Sequence, residues 1–406
     1  MALLTDKNIE VVAPAGNFEK LQFAVHYGAH AVYFGGQQFN LRATTKNFSV
    51  EDIEKAVSCA HSHQVKAIFL LNAFLHEADI QPVKEYIRVI NHIPFDAIMV
   101  SDPGMALLLQ EAGSTCKLHL STQMSTLNHV AIQFWQKQGI SRIVLARETT
   151  LDEIKMIRDH TNCELEIFCH GALCIAYSGR CLLSRYLTGR DANQGNCAHP
   201  CRWNYSLVEE KRPGNHLEVA QYNGTEILSS KDLCLIQRIN EYIQAGVDAF
   251  KIEGRMKSLY YVANTVRIYR HAIDCYNNGI DSSHYKNFWT NELDLVSHRP
   301  YTDDLFHEFT NQPFEGVPYI KKALFMGYCT QSDAQKSTIK TFNPIYKGDN
   351  LDIIYPITNN GIRDSGAIVI DIEVDGKKCE MAQPNTYATV VFDKPVDRWA
   401  IVRKRL

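Results

Sequence analysis

No stretch of this chain is apolar for long enough to cross a bilayer. The longest run, AIFLLNAFL at 67–75, is interrupted by Asn72 and falls far short of the ~20 residues a spanning helix needs. Nor is one sign of charge in excess. Forty-two basic and 45 acidic residues leave a net charge of −3, which excludes wholesale electrostatic attraction to nucleic acid but leaves room for a local basic face. The N-terminal MALLTDKNIE lacks the basic-then-apolar order of a secretory leader. A cytoplasmic protein with no membrane part is therefore expected. The hydrolase signatures HExxH and GxSxG are absent. His170 beside Cys169 is no substitute for a catalytic pair, because successive strand residues face opposite sides. Also missing are the CxxC pairs of zinc fingers and the CxxCxxC run of ferredoxins.

Cysteine itself is not scarce. There are twelve, and in a reducing compartment they are read as free thiols or metal ligands rather than disulfides. Six of them, Cys169, Cys174, Cys181, Cys197, Cys201 and Cys234, gather in one stretch. Spacing alone leaves three readings open: a zinc site using Cys197, His199, Cys201 and one more cysteine; a [4Fe–4S] cluster with a loop folded over it; or structural thiols without metal. Cys169 lies on a predicted strand and reads as core, as do the six cysteines elsewhere, buried free thiols being the ordinary case.

With 45% hydrophobic residues, a chain of 406 predicts two or three domains with cores of their own. From residue 8 to about 278 short apolar runs alternate with helical patterns. Strands are expected at 9–16, 31–36, 66–74, 97–102, 117–123, 142–148, 164–171 and 249–255. Asn17 and Gly28 are placed to cap the first helix at its two ends. Eight parallel βα units in this length predict an α/β fold, a closed (β/α)8 TIM-like barrel over 1–280, with an open doubly wound sheet as the runner-up. A cysteine-rich insertion fills 172–234, longer than a passive loop. Residues 281–315 read as a linker or docking strap, and 316–406 as a small all-β C-terminal barrel domain.

The segment EIFCHGALCIAYSGRCLLS (166–184), with APAGNFEKLQFAVHYGAHAVYFGG (13–36), FNLRA (39–43), ARE (146–148), SSKDLC (229–234) and KIEGRMKS (251–258), resembles the collagenase-like U-thirty-two peptidase family over essentially the whole chain. Members of this architecture are similar to oxygen-independent RNA and quinone hydroxylases that hold a [4Fe–4S] cluster on four cysteines of an N-terminal barrel. One barrel followed by a short β domain looks like the tRNA hydroxylation branch, which makes 5-hydroxyuridine at the wobble position and depends on prephenate. Ubiquinone-hydroxylation members lack the β domain, and the ribosomal-RNA hydroxylase is longer. The family name implies a peptidase as the alternative activity.

Carried over motif by motif, the resemblance implies Cys174, Cys181, Cys197 and Cys234 as cluster ligands, with Cys201 as the alternative third. The implied partners are tRNA and prephenate, and an electron donor or partner subunit. A dicarboxylate donor calls for arginine forks, for which Arg42, Arg147 and Arg255, with Lys257, are the candidates. Each has a plainer reading as a salt bridge, Arg147 with Glu148 and Arg255 with Glu253. His170, Glu166 and Arg147 are the candidate catalytic residues. The C-terminal Arg398, Arg403, Lys404 and Arg405 read either as a phosphate-binding tail or as a solvated end.

Overall fold

The computed structural model describes residues 9–41, 47–174, 176, 181–203, 206–208, 216–218, 231–303, 319–333, 336–358 and 361–406. Its contacts form two compact units. One comprises the described residues up to Leu21, then His30–Met256 and the described residues from Arg299 to 303; the other comprises Gln22–Ala29, Lys257–His298 and the described residues of Tyr319–Leu406.

In the first unit, strands β1 (Glu10–Pro14), β2 (Ala31–Gly35), β3 (Lys66–Leu71), β4 (Ala97–Val100), β5 (Lys117–Leu120), β6 (Ile140–Val144) and β7 (Glu164–Ala172) pair in parallel, in order. The insertion carries β8 (Ser206–Val208), β9 (His216–Glu218) and β10 (Asp232–Cys234). Strand β11 (Ala249–Ile252) then pairs with both β1 and β7 and closes the eight-stranded barrel. Its strands are almost continuously buried, as a parallel sheet covered on both faces demands.

The connecting helices are α1 (Phe18–His26), α2 (Val50–Ser62), α3 (Ile80–Ile90), α4 (Pro103–Glu111), α5 (His129–Lys137) and α6 (Leu151–Arg158), followed by α7 (Leu183–Thr188) in the insertion and α8 (Ile239–Gln244). Their starts are written in the sequence. Asn17 accepts from Lys20 N at 2.8 Å, Asp102 caps α4 with Pro103 at its first turn, and Thr150 and Glu153 form a capping box on α6. Gly16 is needed for close approach, since a Cβ there would stand 2.1 Å from the Arg255 carbonyl oxygen.

The barrel interior is filled with charge toward its N-terminal end. Arg142 meets Glu10 at 2.9 Å, Glu164 at 2.6 Å and Glu166 at 3.3 Å. Lys66 also pairs with Glu10, and Lys251 with Glu166 at 2.9 Å. Burial pulls the Lys251 ammonium below the usual lysine range although Glu166 opposes it. Burial, with Arg142 and Lys251 nearby, keeps His119 neutral. Burial would raise the Glu10 carboxyl, but Arg142 and Lys66 outweigh it and the net shift is downward. A depressed carboxylate stabilises the fold above its unfolded pKa of ~4.3 and loses that contribution as pH falls through the folded value. Glu10→Gln is therefore expected to cost about 3 kcal/mol at neutral pH, and the gap to the parent should close on acidification below ~4. Thermal melts of both proteins across that range check it; a gap independent of pH would contradict the assignment.

In the second unit, α9 (Leu259–Asn277) and α10 (Lys286–Asp294) precede an antiparallel barrel. Thus part of 281–315, expected as linker, is helical, and its Trp289 is fully buried. A short strand, β12 (Tyr301–Thr302), belongs to the first unit's sheet. The C-terminal strands are β13 (Ala323–Ser332), β14 (Lys336–Thr341), β15 (Ile345–Tyr346), β16 (Asn350–Ile354), β17 (Asp364–Val374), β18 (Lys377–Cys379), β19 (Met381–Ala382), β20 (Tyr387–Phe392) and β21 (Ile401–Arg405). The order β16-β21-β13-β14-β20-β17 closes through β16–β17 into six strands. Alternate residues such as Ile339, Ile353, Val390 and Val402 fill its core.

The C-terminal cations do not form a free basic tail. Arg403 is buried and grips Glu292 with two bonds of 2.7 and 2.8 Å. Lys404 pairs with Asp349 and Arg405 with Asp352, and Arg398 lies over the Trp399 ring. Local carboxylates and one ring thus hold these side chains, Arg403 inside the fold and Arg405 largely in solvent.

Candidate functional site: the barrel mouth and its cysteines

Along β7 the strand alternation sends Glu166, Phe168 and His170 to one face and Cys169 to the other. Cys169 is fully buried, its thiol bonded to the Lys251 carbonyl at 3.4 Å, as a core cysteine should be. Gly171 follows with φ +106°, a backbone state side chains rarely take, and turns the chain toward Cys174.

Arg147, from the loop after β6, is the centre of the mouth. Its guanidinium covers the Phe168 ring at 4.2 Å, donates to Cys174 Sγ at 3.6 Å and stands 3.8 Å from Glu253. The side chain is 9% exposed, and its Nε is buried without a hydrogen-bond partner. Beside it opens a cavity of about 300 Å³ lined by Arg147, Glu148, Thr150, Leu235, Arg238 and Tyr242. Burial raises the Glu148 carboxyl, with Arg147 offsetting part of the shift.

His170 is buried, with Nε2 3.4 Å from the Tyr301 hydroxyl. Strand β10 runs antiparallel to β7 and sets Cys234 opposite His170. Asp232 of the KDLC motif holds Arg299 through bonds of 2.8 and 2.9 Å, both residues buried. This pair holds the segment that sets Tyr301 against His170. Sequence reasoning missed Asp232, Arg299 and Tyr301 as a group; the signals were SSKDLC (229–234), which carries Asp232, and the aromatic-rich HRPYTDD, part of the segment read as a linker or docking strap.

The insertion crosses toward the opposite strands. Asn193 O accepts from Phe74 N at 3.3 Å, and Ser184 Oγ accepts from Ala198 N at 3.0 Å, tying the flank of Cys181 to that of Cys197. Cys174 is exposed; Cys181, Cys197 and Cys201 are half-exposed; Cys234 is buried; none of the five is in a disulfide. Their chemistry fits a soft-metal or iron–sulfur centre. Among the described residues no three His, Cys, Asp or Glu side chains lie close enough together to hold a metal ion.

The other expected site residues are dispersed. Glu166 is fully buried and paired with Arg142 and Lys251 inside the barrel. Arg255 is buried and donates to Asn40 at 3.0 Å and Asn47 at 2.5 Å. It holds the loop after β2, a task neither the salt-bridge reading nor the substrate reading foresaw. Lys257 belongs to the second unit, where it donates to the Ser297 carbonyl at 3.2 Å and sits over the Tyr261 and Tyr319 rings. Arg42 lies outside the described residues. Among the described residues, no helix is long and apolar enough to cross a membrane.

Fold and site together define an α/β-barrel protein with a thiol-bearing insertion at its mouth and a separate antiparallel β-barrel. Residues 16–314 match the model of Peptidase family U32, and the chain belongs to that family. It is 36% identical to tRNA hydroxylation protein P1 of Bacillus subtilis (strain 168), covering 87% of this chain and 85% of that one. It is 32% identical to tRNA hydroxylation protein P of Escherichia coli (strain K12), covering 86% and 87%. A 31% identity to the 23S rRNA 5-hydroxycytidine C2501 synthase of the same E. coli strain spans 86% of this chain but 53% of that enzyme.

Proposed function

We propose that this protein is an RNA-hydroxylating enzyme acting on tRNA, converting wobble uridine to 5-hydroxyuridine without dioxygen and with prephenate as co-substrate. The observation that carries the reading is the similarity, over more than four-fifths of both chains, to two proteins named for tRNA hydroxylation. The shorter match to the ribosomal-RNA enzyme supports RNA hydroxylation as the common chemistry. The peptidase alternative rests on names: that of the family and those of relatives called collagenase and uncharacterized protease.

Cys174, Cys181, Cys197 and Cys234 are the residues that would hold a [4Fe–4S] cluster, Cys201 being the alternative to Cys197. Such a group supplies a soft metal centre able to exchange an electron or coordinate a carboxylate. This chain's own residues bind and orient. Arg147 offers a carboxylate its guanidinium beside Cys174, and the adjoining cavity is within the size range of small-molecule pockets. His170 and Tyr301 form the polar floor of the mouth. The test is direct: anaerobically purified protein, prephenate and an unmodified tRNA transcript should yield 5-hydroxyuridine on nucleoside mass spectrometry. Failure to form it with iron-loaded protein, where ribosomal RNA or a peptide is turned over instead, would overturn the reading.

A further inference from the structure

The cysteine insertion carries a second feature that the proposed chemistry does not use. Large apolar side chains stand in solvent on it: Tyr186 is 85% exposed, Leu182 69% and Trp203 47%. Buried surface normally claims such side chains, and an exposed cluster of them marks an interaction site. Leu182 and Tyr186 are one turn apart, Tyr186 N bonding to Leu182 O at 2.9 Å, so they share a face. The turn Pro200–Arg202 packs against α7, and Trp203 follows it directly, its N bonded to Pro200 O at 3.0 Å.

The charge around these rings is biased toward basic. Residues 181–203 contain three arginines and a single acid, Asp191, in a chain whose net charge is −3. Arg185 holds Asp191 at 3.0 Å, and exposed Arg190 is oriented by its bond to Asn196 O at 3.0 Å. Exposed aromatic faces interleaved with arginines are the chemistry that receives unpaired nucleotides: bases stack on the rings and phosphates meet the guanidinium groups. A protein partner would be served by apolar side chains without this arginine bias.

We infer that Tyr186, Trp203 and Arg190 form a docking surface for single-stranded nucleotides of an RNA loop, adjacent in sequence to Cys181 and Cys201. The inference rests on the RNA reading above and names where the RNA is held. The test is fluorescence anisotropy of a fluorescein-labelled anticodon stem-loop RNA with the full chain. Tyr186→Ala and Trp203→Ala should each raise Kd about tenfold, while Tyr186→Phe stays close to the parent. Arg190→Ala should weaken binding and lower the salt-dependence slope by about one. Circular dichroism and iron content identify any variant that has lost its fold. Folded alanine variants with parental affinity would overturn this surface and leave the RNA reading standing. No binding by the parent would overturn both. Parental RNA affinity with altered self-association on gel filtration would make the face a protein contact instead.

Discussion

Alanine in place of Cys174, Cys181, Cys197 or Cys234 is expected to strip the anaerobically purified protein of nearly all its iron and sulfide. A [4Fe–4S] cluster takes one thiolate per iron; with three left, one iron loses its anchor and the cluster becomes labile. The cysteines outside the set supply the control. Cys169 bonds its neighbour's carbonyl in the barrel wall, so Cys169→Ala should keep its iron and pay only in packing. Cys197 and Cys201 compete for the third position, and Cys197 Sγ accepts from His199 N at 3.4 Å. Retained iron in Cys201→Ala with loss in Cys197→Ala supports the assignment; the reverse pattern exchanges the two. Zinc in place of iron in the parent would remove the cluster from the account. Iron and sulfide assays with the visible absorption spectrum decide among these results.

The second large effect lies in the C-terminal unit. Glu292 is the shared anion of two buried guanidinium groups: Arg403 grips both its oxygens, and Arg267 reaches it at 2.9 Å. Asp352 and Asp364 complete the charge balance from the β-strands. Glu292→Ala leaves two buried cations short of a partner, and breaking such a pair from one side costs about 3–5 kcal/mol. Arg405→Ala removes a cation that also meets Asp352, but with its side chain 62% exposed; an exposed pair of this kind contributes about 0–1 kcal/mol. Urea unfolding of both variants should therefore show a large loss for Glu292→Ala and almost none for Arg405→Ala. Equal losses would mean the buried network is not what holds this unit together.

What could be read ahead of the structure follows the range of each signal. The barrel strands were legible because parallel strands buried on both faces write continuous apolar runs, and the start of α1 because Asn17 is a local cap; the equally local caps Asp102 and Thr150 went unread. Helix α10 was not legible: KNFWTNELD is polar and aromatic, and only its packing shows that Trp289 is core. Glu292 and Arg403 are 111 residues apart, and no local pattern links them, which is why the C-terminal arginines read as a tail. At the mouth, residue chemistry marked the thiols and Arg147, yet it did not separate Arg147, which faces Cys174, from Arg255, which two asparagines hold. The Asp232–Arg299 strap joins positions 67 apart and was beyond any motif.

The most direct test of the central claim is nucleoside mass spectrometry of bulk tRNA from a strain lacking this protein and having no redundant enzyme, grown beside its parent. The account predicts that 5-hydroxyuridine and its derivatives disappear, return with the intact gene, and stay absent with the Cys174→Ala version. Unchanged tRNA in the deletion strain, or full restoration by Cys174→Ala, would contradict it.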